Sequence, residues 1–371
     1  MFACVNVCLN NPTPISSNAT YLGLLMSLSN YSQVLLRNVD LLAAKSPLLV
    51  NLPVDNFIDE YQSLHPNIAI SCFITHFGEY TSLKSRYGSK ISTVFSACYQ
   101  TEEKHDLVII AFPKSKAELP FTLAMISPYL SQDAQILFIG EKNGGIKTVT
   151  KLSAGYVENC HKLDSARHCM LYGAVANNQN NTFDLTDWYQ EYLINRNDTE
   201  IRIAALPGVF SQEGLDKGTA VLLDNLPEIS QGKLLDFGCG AGVIAAFIGK
   251  TAPEVSLNLA DVSALALSSA KQTLTLNNLT GNVFASDSLS HIEGKYQHIV
   301  SNPPFHQGVK THYAATESFL QGIKQHTANN GVITIVANSF LRYQPIMEQS
   351  IGKPTIITQK NGFTIYQCKI R

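Results

Sequence analysis

Apolar and polar positions alternate in blocks along the second half of the chain. The short apolar runs "KLLDFG" (233–238), "VSLNLADV" (255–262), "NVFAS" (282–286), "HIVSN" (298–302) and "GVITIVAN" (331–338) read as buried strands. Between them, "GVIAAFIGK", "SALALSSAKQTLTLNN" and "HYAATESFLQGIKQHT" carry helical spacing, the second with Ser263 as its N-cap. The closing "PTIITQKNGFTIYQCKI" predicts a hairpin about Asn361-Gly362, a strong turn signal. Strand–helix alternation predicts an α/β fold with a parallel sheet, and the hairpin adds an antiparallel pair at one edge.

The first half carries a fainter version of this pattern. Five runs, "PLLVNL" (47–52), "IAISCFIT" (68–75), "STVFSACY" (92–99), "DLVIIAF" (106–112) and "QILFIG" (135–140), are spaced like the five of the second half. A strand, a proline turn, a helix and a further strand follow one another in residues 105–145, and again in 296–338. This self-similarity predicts two copies of one fold, although any two α/β domains would share the broad alternation. The expected divisions are a first domain over 26–182, a joining helix or linker over 183–199, and a second domain over 200–371. Trp188, the only tryptophan, is expected to pack at the junction. Residues 1–25, polar and rich in turn formers, are expected to be a disordered extension or to precede a start at Met26.

Composition narrows the class. The chain has 371 residues, more than one core usually organises. Hydrophobic residues make up 45% and charged residues 15%, which excludes a disordered chain. With a net charge of -2 there is no global basic signature, so a nucleic-acid partner would need a local patch. The cysteines Cys4, Cys8, Cys72, Cys98, Cys160, Cys169, Cys239 and Cys368 form no CxxC pair and no zinc spacing. They read as free thiols in a reducing compartment, with no metal site. No apolar run is long enough to span a membrane, and "YLGLLMSL" lacks the basic flank of a signal peptide. A cytoplasmic protein is expected.

Candidate chemistry gathers at strand ends, where open α/β sheets bind ligands. "LLDFGCGAG" places Asp236, Gly238, Cys239, Gly240 and Gly242 between a strand and a helix. Glycines allow the sharp turn and a close approach to a ligand. A carboxylate at Asp236 suits a cationic amino-acid group rather than a phosphate, which points to S-adenosylmethionine. Asp261, followed by Val262, ends the next strand and is placed to accept from ribose hydroxyls. Asp287 could take the adenine amine, or be a simple turn residue. The corner "SNPPFHQG" (301–308) then offers two acceptors on a stiff turn, the Asn302 side chain and the Pro303 carbonyl, with Pro304 behind them. Such acceptors would hold an exocyclic amine in line with a methyl sulfonium and favour the positive charge developing on nitrogen. Phe305 supplies a face for a planar group.

Asn-Pro-Pro-aromatic resembles the signature of class I methyltransferases acting on amino groups of bases or of glutamine. With "PGVFSQEGLDKGTAVLL" (207–223), "LLDFGCGAGV" and "VANSFLRY" (336–343), the chain resembles the small-subunit ribosomal RNA guanine-N2 methyltransferase family, RsmC. "PKSKAE" (113–118), "GEKNGG" (140–145) and "KLDSARHC" (162–169) extend the likeness over about residues 26–371. The resemblance implies two tandem class I, Rossmann-like methyltransferase domains, each a seven-stranded, mostly parallel sheet, the N-terminal copy degenerate. It implies methylation of guanine N2 at about position 1207 of 16S rRNA, with the assembled small subunit as substrate and a monomeric enzyme. Asn302, Pro303, Pro304 and Phe305 match the catalytic motif. Asp236, Gly238, Gly240 and Asp261 match the cofactor motif, and Cys239, Gly242, Val262 and Asp287 lie with them. Phe305, His306 and Phe210 are candidates to receive the base, with Phe210 alternatively plain core.

The first copy lacks these features. Its loop reads "NLPVDNFI" without glycine, and its proline turn reads "AFPKSKAE", with Lys114 and Lys116 where the other copy has its ring. Those lysines could meet phosphate or be solvated surface residues. Competing functions are a large-subunit guanine-N2 methyltransferase, a non-enzymatic RNA-binding or assembly protein with a relic fold, and a protein glutamine methyltransferase. The intact loop, Asp261 and Asn-Pro-Pro-Phe oppose the second. The third class favours Tyr after the prolines and lacks a degenerate partner.

Overall fold

A computed structural model describes residues 27–177, 179, 182–303, 317–341 and 343–370. Its contacts fall into two compact units, with the boundary between Trp188 and Tyr189. The expected extension at 1–25 lies outside the described residues.

The first unit contains β1 (Pro47–Val50), β2 (Ser71–Ile74), β3 (Ser92–Phe95), β4 (His105–Ala111), β5 (Leu130–Glu141), β6 (Val157–Ala166) and β7 (Cys169–Ala176), in the order β3-β2-β1-β4-β5-β7-β6. In the second unit β8 (Gln190–Arg196) and β9 (Thr199–Ala205) form a hairpin of their own. Its main sheet holds β10 (Gln231–Phe237), β11 (Glu254–Asp261), β12 (Gly281–Ala285), β13 (Tyr296–Ser301), β14 (Thr327–Asn338), β15 (Thr355–Lys360) and β16 (Phe363–Lys369), in the order β12-β11-β10-β13-β14-β16-β15. Place for place the two orders agree. In both, the first five strands are parallel and the last two pair antiparallel. A shared alternation could be coincidence; a shared crossover order shows one fold present twice.

Local chemistry explains most of the elements. All four residues of β1 are buried, so the strand is continuously apolar rather than alternating. The helix Ala264–Leu276 starts where Ser263 Oγ accepts the Ala266 N–H at 3.4 Å. Asn361 (φ 54°) and Gly362 (φ 80°) make the β15–β16 turn as the dipeptide predicts. The β6–β7 turn uses the same pair of left-handed residues, but they are Arg167 (φ 50°) and His168 (φ 60°). That pair carries no turn signal, so the hairpin is absent from the five runs read in the first half.

The segment 183–199 differs from expectation. In place of a joining helix there is one 3-10 turn, Leu185–Trp188, and then β8, which turns into β9 through left-handed Asn197 and Asp198 (φ 48° and 57°). Trp188 packs its ring against Phe121 and Phe183 of the first unit, at 5.4 and 6.4 Å between centroids. The second edge of β9 is closed by a helix. The backbone N–H groups of Arg202, Ala204 and Leu206 donate to Asn277 Oδ1, Thr273 Oγ1 and Ser269 Oγ at 3.0, 3.1 and 3.0 Å. Those side chains recur every fourth residue on one helical face, so the edge donors are satisfied without another strand.

Candidate active site

Asp236, Asp261 and Asn302 stand at the carboxyl ends of β10, β11 and β13. After β10 the chain turns through Gly238, Gly240 and Gly242, all with positive φ (68°, 52° and 78°). A Cβ on Gly238 or Gly240 would meet no atom within 4 Å, so their surroundings are open. Gly242 differs: a Cβ there would lie 3.2 Å from the Ala270 Cα, so its bareness lets two helices approach. Cys239 is buried beneath the loop.

Asp261 pins this loop. Its Oδ2 accepts the Gly240 N–H and its Oδ1 the Ser263 N–H, both at 2.9 Å. A carboxylate is an acceptor only, the chemistry that hydroxyl donors need. Asp236 is fully buried, and its Oδ2 accepts the Ala245 N–H at the start of the helix Val243–Thr251 at 3.0 Å. Its Oδ1 has no hydrogen-bond partner among the described residues. Burial, with a smaller contribution from the Asp261 charge, pushes the Asp236 carboxyl from 3.8 up to about 7, against the lowering pull of the Ala245 N–H.

A folded-state value above the unfolded one means that the folded protein holds an extra proton over that interval. The stability linked to Asp236 is therefore present below about pH 4 and is lost as pH rises through about 7. Thermal melts of the ligand-free protein should show wild type falling relative to Asp236→Asn over that window, with the difference level above it. A difference that does not change with pH would refute this.

Asn302 follows β13 directly and is half-buried; Pro303 beside it is buried. The strand end is tied to the neighbouring one by Ser301 Oγ, which donates to the Phe237 carbonyl at 2.7 Å. The Asn302 Nδ2 donates to Thr219 Oγ1 at 2.8 Å and to Asp216 Oδ2 at 3.2 Å. Asp216 caps the helix Lys217–Leu223, accepting the Thr219 N–H at 2.9 Å. Neither Asp216 nor Thr219 was singled out in the sequence, although the N-cap pattern "LDKGT" would have marked the helix start.

Of the other expected residues, Asp287 is exposed after β12 and Val262 is half-buried beside Asp261. Phe210 is 55% exposed, which excludes the plain-core alternative. Pro304, Phe305 and His306 lie outside the described residues. Lys114 and Lys116 are exposed in the turn after β4. Among the described residues no group of three or more His, Cys, Asp or Glu side chains could hold a metal ion.

Strand ends and sheet register together align the first unit with the second: β1 ends at Val50 and β10 at Phe237, and the next N–H, of Asn51 or Gly238, donates to the Phe73 or Ala260 carbonyl. Val50 pairs with Phe73 and Ile110 as Phe237 pairs with Ala260 and Ser301. One residue to either side, Leu49 then corresponds to Asp236, Ile74 to Asp261 and Ala111 to Asn302. All three polar positions have become apolar, and Asn51 stands in place of Gly238. The loop space is filled as well: Leu52, Val54, Phe57 and Leu83 close around a cavity of about 10 Å³, too small for a cofactor.

Two family models match this chain, the methyltransferase small domain over residues 200–367 and its N-terminal counterpart over 32–192. A ribosomal RNA small subunit methyltransferase C from Colwellia psychrerythraea is 54% identical, over 93% of this chain and 99% of that protein. The chain belongs to the ribosomal RNA small subunit methyltransferase C family. A member from Aeromonas hydrophila is 40% identical over 92% of this chain and 99% of its own length. Among solved structures, the Thermus thermophilus 16S rRNA N2 G1207 methyltransferase, in complex with AdoMet and guanosine, superposes with a TM-score of 0.76. It covers 90% of this chain and 91% of its own at 19% identity, a likeness of fold. The tandem class I methyltransferase architecture expected from sequence is the one observed. The enzyme class is that of an rRNA methyltransferase.

Proposed function

We propose that this chain transfers a methyl group from S-adenosylmethionine to guanine N2 of 16S rRNA, at about position 1207, within the assembled small subunit. The observation that carries it is the Asn302 amide, held at a strand end beside an open glycine loop. The relatives' names favour the small subunit over the large one.

The residues present fit the cofactor. Asp236 has one buried oxygen without a partner among the described residues, suited to a cationic amino-acid group. Asp261 ends β11 with an acceptor carboxylate suited to ribose hydroxyls, and Gly238 and Gly240 leave room for close approach. When bound, S-adenosylmethionine supplies an electrophilic methyl group on a sulfonium. The chain's own work is orientation. Guanine N2 is a poor nucleophile because its lone pair is delocalised into the ring. Accepting its hydrogens at Asn302 Oδ1 and the Pro303 carbonyl turns the lone pair toward the methyl group and stabilises the charge that develops on nitrogen. A base within a helix cannot reach this corner, so the nucleotide is extruded, with Phe305 and the exposed Phe210 as stacking faces.

The first unit is assigned to docking on the ribosomal particle. Lys114, Lys116 and Lys147 are exposed, Lys142 is half-buried, and all follow the carboxyl ends of β4 and β5. They are suited to phosphate contacts, which position without reading sequence.

The test offers the purified full chain and labelled cofactor to small subunits, large subunits, naked 16S rRNA and protein extract, and then maps the modified base. Label on guanine N2 in the small subunit, with naked RNA poorer, is expected. Label confined to large subunits or to protein would overturn the proposal.

A further inference from the structure

We infer that Asp216 and Thr219 are positioning residues that set which end of the Asn302 amide faces the substrate; this rests on the role proposed above for Asn302. An amide has a donor end and an acceptor end of nearly the same shape. Only the oxygen end helps, because guanine N2 carries hydrogens and needs acceptors. Turned the other way, the Asn302 NH2 would confront the substrate NH2, donor against donor.

The Asp216–Thr219 pair excludes that state. Asp216 Oδ2 can only accept. The Thr219 hydroxyl can donate to the same Asp216 oxygen, 3.4 Å away, which leaves Oγ1 lone pairs for the amide. Both groups that meet the Asn302 amide among the described residues are thus acceptors, and it meets them with Nδ2, at 2.8 and 3.2 Å. Oδ1 is left on the opposite side. Thr219 is buried, so water does not compete for the pair.

The first unit supplies an internal control. "SNYSQVLLRN" (29–38) aligns with "DKGTAVLLDN" (216–225), Ser29 matching Asp216 and Ser32 matching Thr219. Ser29 Oγ caps its helix by accepting the Ser32 N–H at 3.2 Å, as Asp216 does for Thr219. Asn38 and Asn225 each donate to the carbonyl four residues earlier, Val34 and Val221, at 2.8 Å. Ala111 replaces the amide in this unit, and the cap pair changes polarity. The Ser29 N–H and the Ser32 hydroxyl both donate to Asp55 Oδ2 at 2.7 Å, a carboxylate from the loop that fills the lost cleft. Helix capping alone therefore does not require an all-acceptor pair. It is found in the unit that keeps the amide.

The experiment measures turnover on small subunits by full-length variants, with cofactor affinity by calorimetry and thermal melts alongside. Thr219→Val keeps the shape and removes the acceptor. Asp216→Asn keeps a good N-cap but offers the amide a donor as well. Each should lower kcat by about 10- to 100-fold, the range for lost orienting partners, with both KM values and cofactor affinity within about threefold of wild type. Thr219→Ser should retain turnover. The Thr219→Val, Asp216→Asn double variant should fall little below the worse single, because the two act through one amide. Full kcat in both singles, a loss that tracks melting temperature or cofactor affinity, or losses that multiply in the double would each overturn the inference. Asn302→Ala separates the two failures: if it too keeps turnover, the role proposed for Asn302 fails; if it alone is inactive, only the positioning role does.

Discussion

Asn302→Ala should abolish methyl transfer while leaving cofactor binding nearly intact. The substitution removes the side-chain acceptor at the end of β13 and keeps the bonds by which Asp261 holds the Gly240 and Ser263 N–H groups. Loss of one preorganised group aimed at developing charge costs about 3 kcal/mol or more, a fall in kcat of at least about 100-fold. Because the interaction strengthens in the transition state, kcat and kcat/KM should fall together. Single-turnover kinetics on small subunits, with calorimetry for the cofactor, measure both. Turnover within a few-fold of wild type would remove Asn302 from the chemistry; a parallel collapse of cofactor affinity would make it a binding residue instead.

Asp261→Ala should do the reverse and act on the cofactor. Its carboxylate holds the Gly240 and Ser263 N–H groups, both at 2.9 Å. Hydrogen bonds to a charged group are worth about 1.5–3 kcal/mol each, and removal leaves two backbone donors to find water. The loop loses its preset shape along with its hydroxyl acceptor. A loss of about 3 kcal/mol corresponds to roughly 100-fold weaker binding. Calorimetry on the wild-type full chain should give one cofactor per chain, because Ile74 occupies the matching place in the first unit and its cleft is closed. Binding by Asp261→Ala within threefold of wild type, or two cofactors per wild-type chain, would contradict this assignment.

The parts of the site legible in the sequence are those that make demands on the backbone. Gly238 and Gly240 sit at positive φ, the Asn361–Gly362 pair turns as a left-handed dipeptide, and Ser263 caps its helix. The prolines after Asn302 end a strand because they cannot extend its ladder. Where the backbone uses such conformations without their usual residues, at Arg167–His168, the hairpin goes unread. The β8–β9 hairpin was missed for a different reason. Asn197 and Asp198 are ordinary turn residues, and the polar stripe that closes β9 belongs to a helix some 70 residues on, where Thr273 lies 69 positions from Ala204.

The sequence by itself determined the α/β class, the duplication and the family, and marked the strand ends where the candidate site lies. Each rests on signals contained within a few neighbouring residues or on repetition of such signals. Tertiary structure alone decided the partners. It sealed Asp236 beneath a helix start and left it one oxygen unpaired among the described residues. It aligned Leu49, Ile74 and Ala111 with the three polar residues of the second unit. It also brought Asp216 and Thr219 to Asn302 from 86 and 83 residues away. Strand register and helix placement follow from how whole faces bury together, so which side chains meet across such distances is a property of the packed fold rather than of any local stretch.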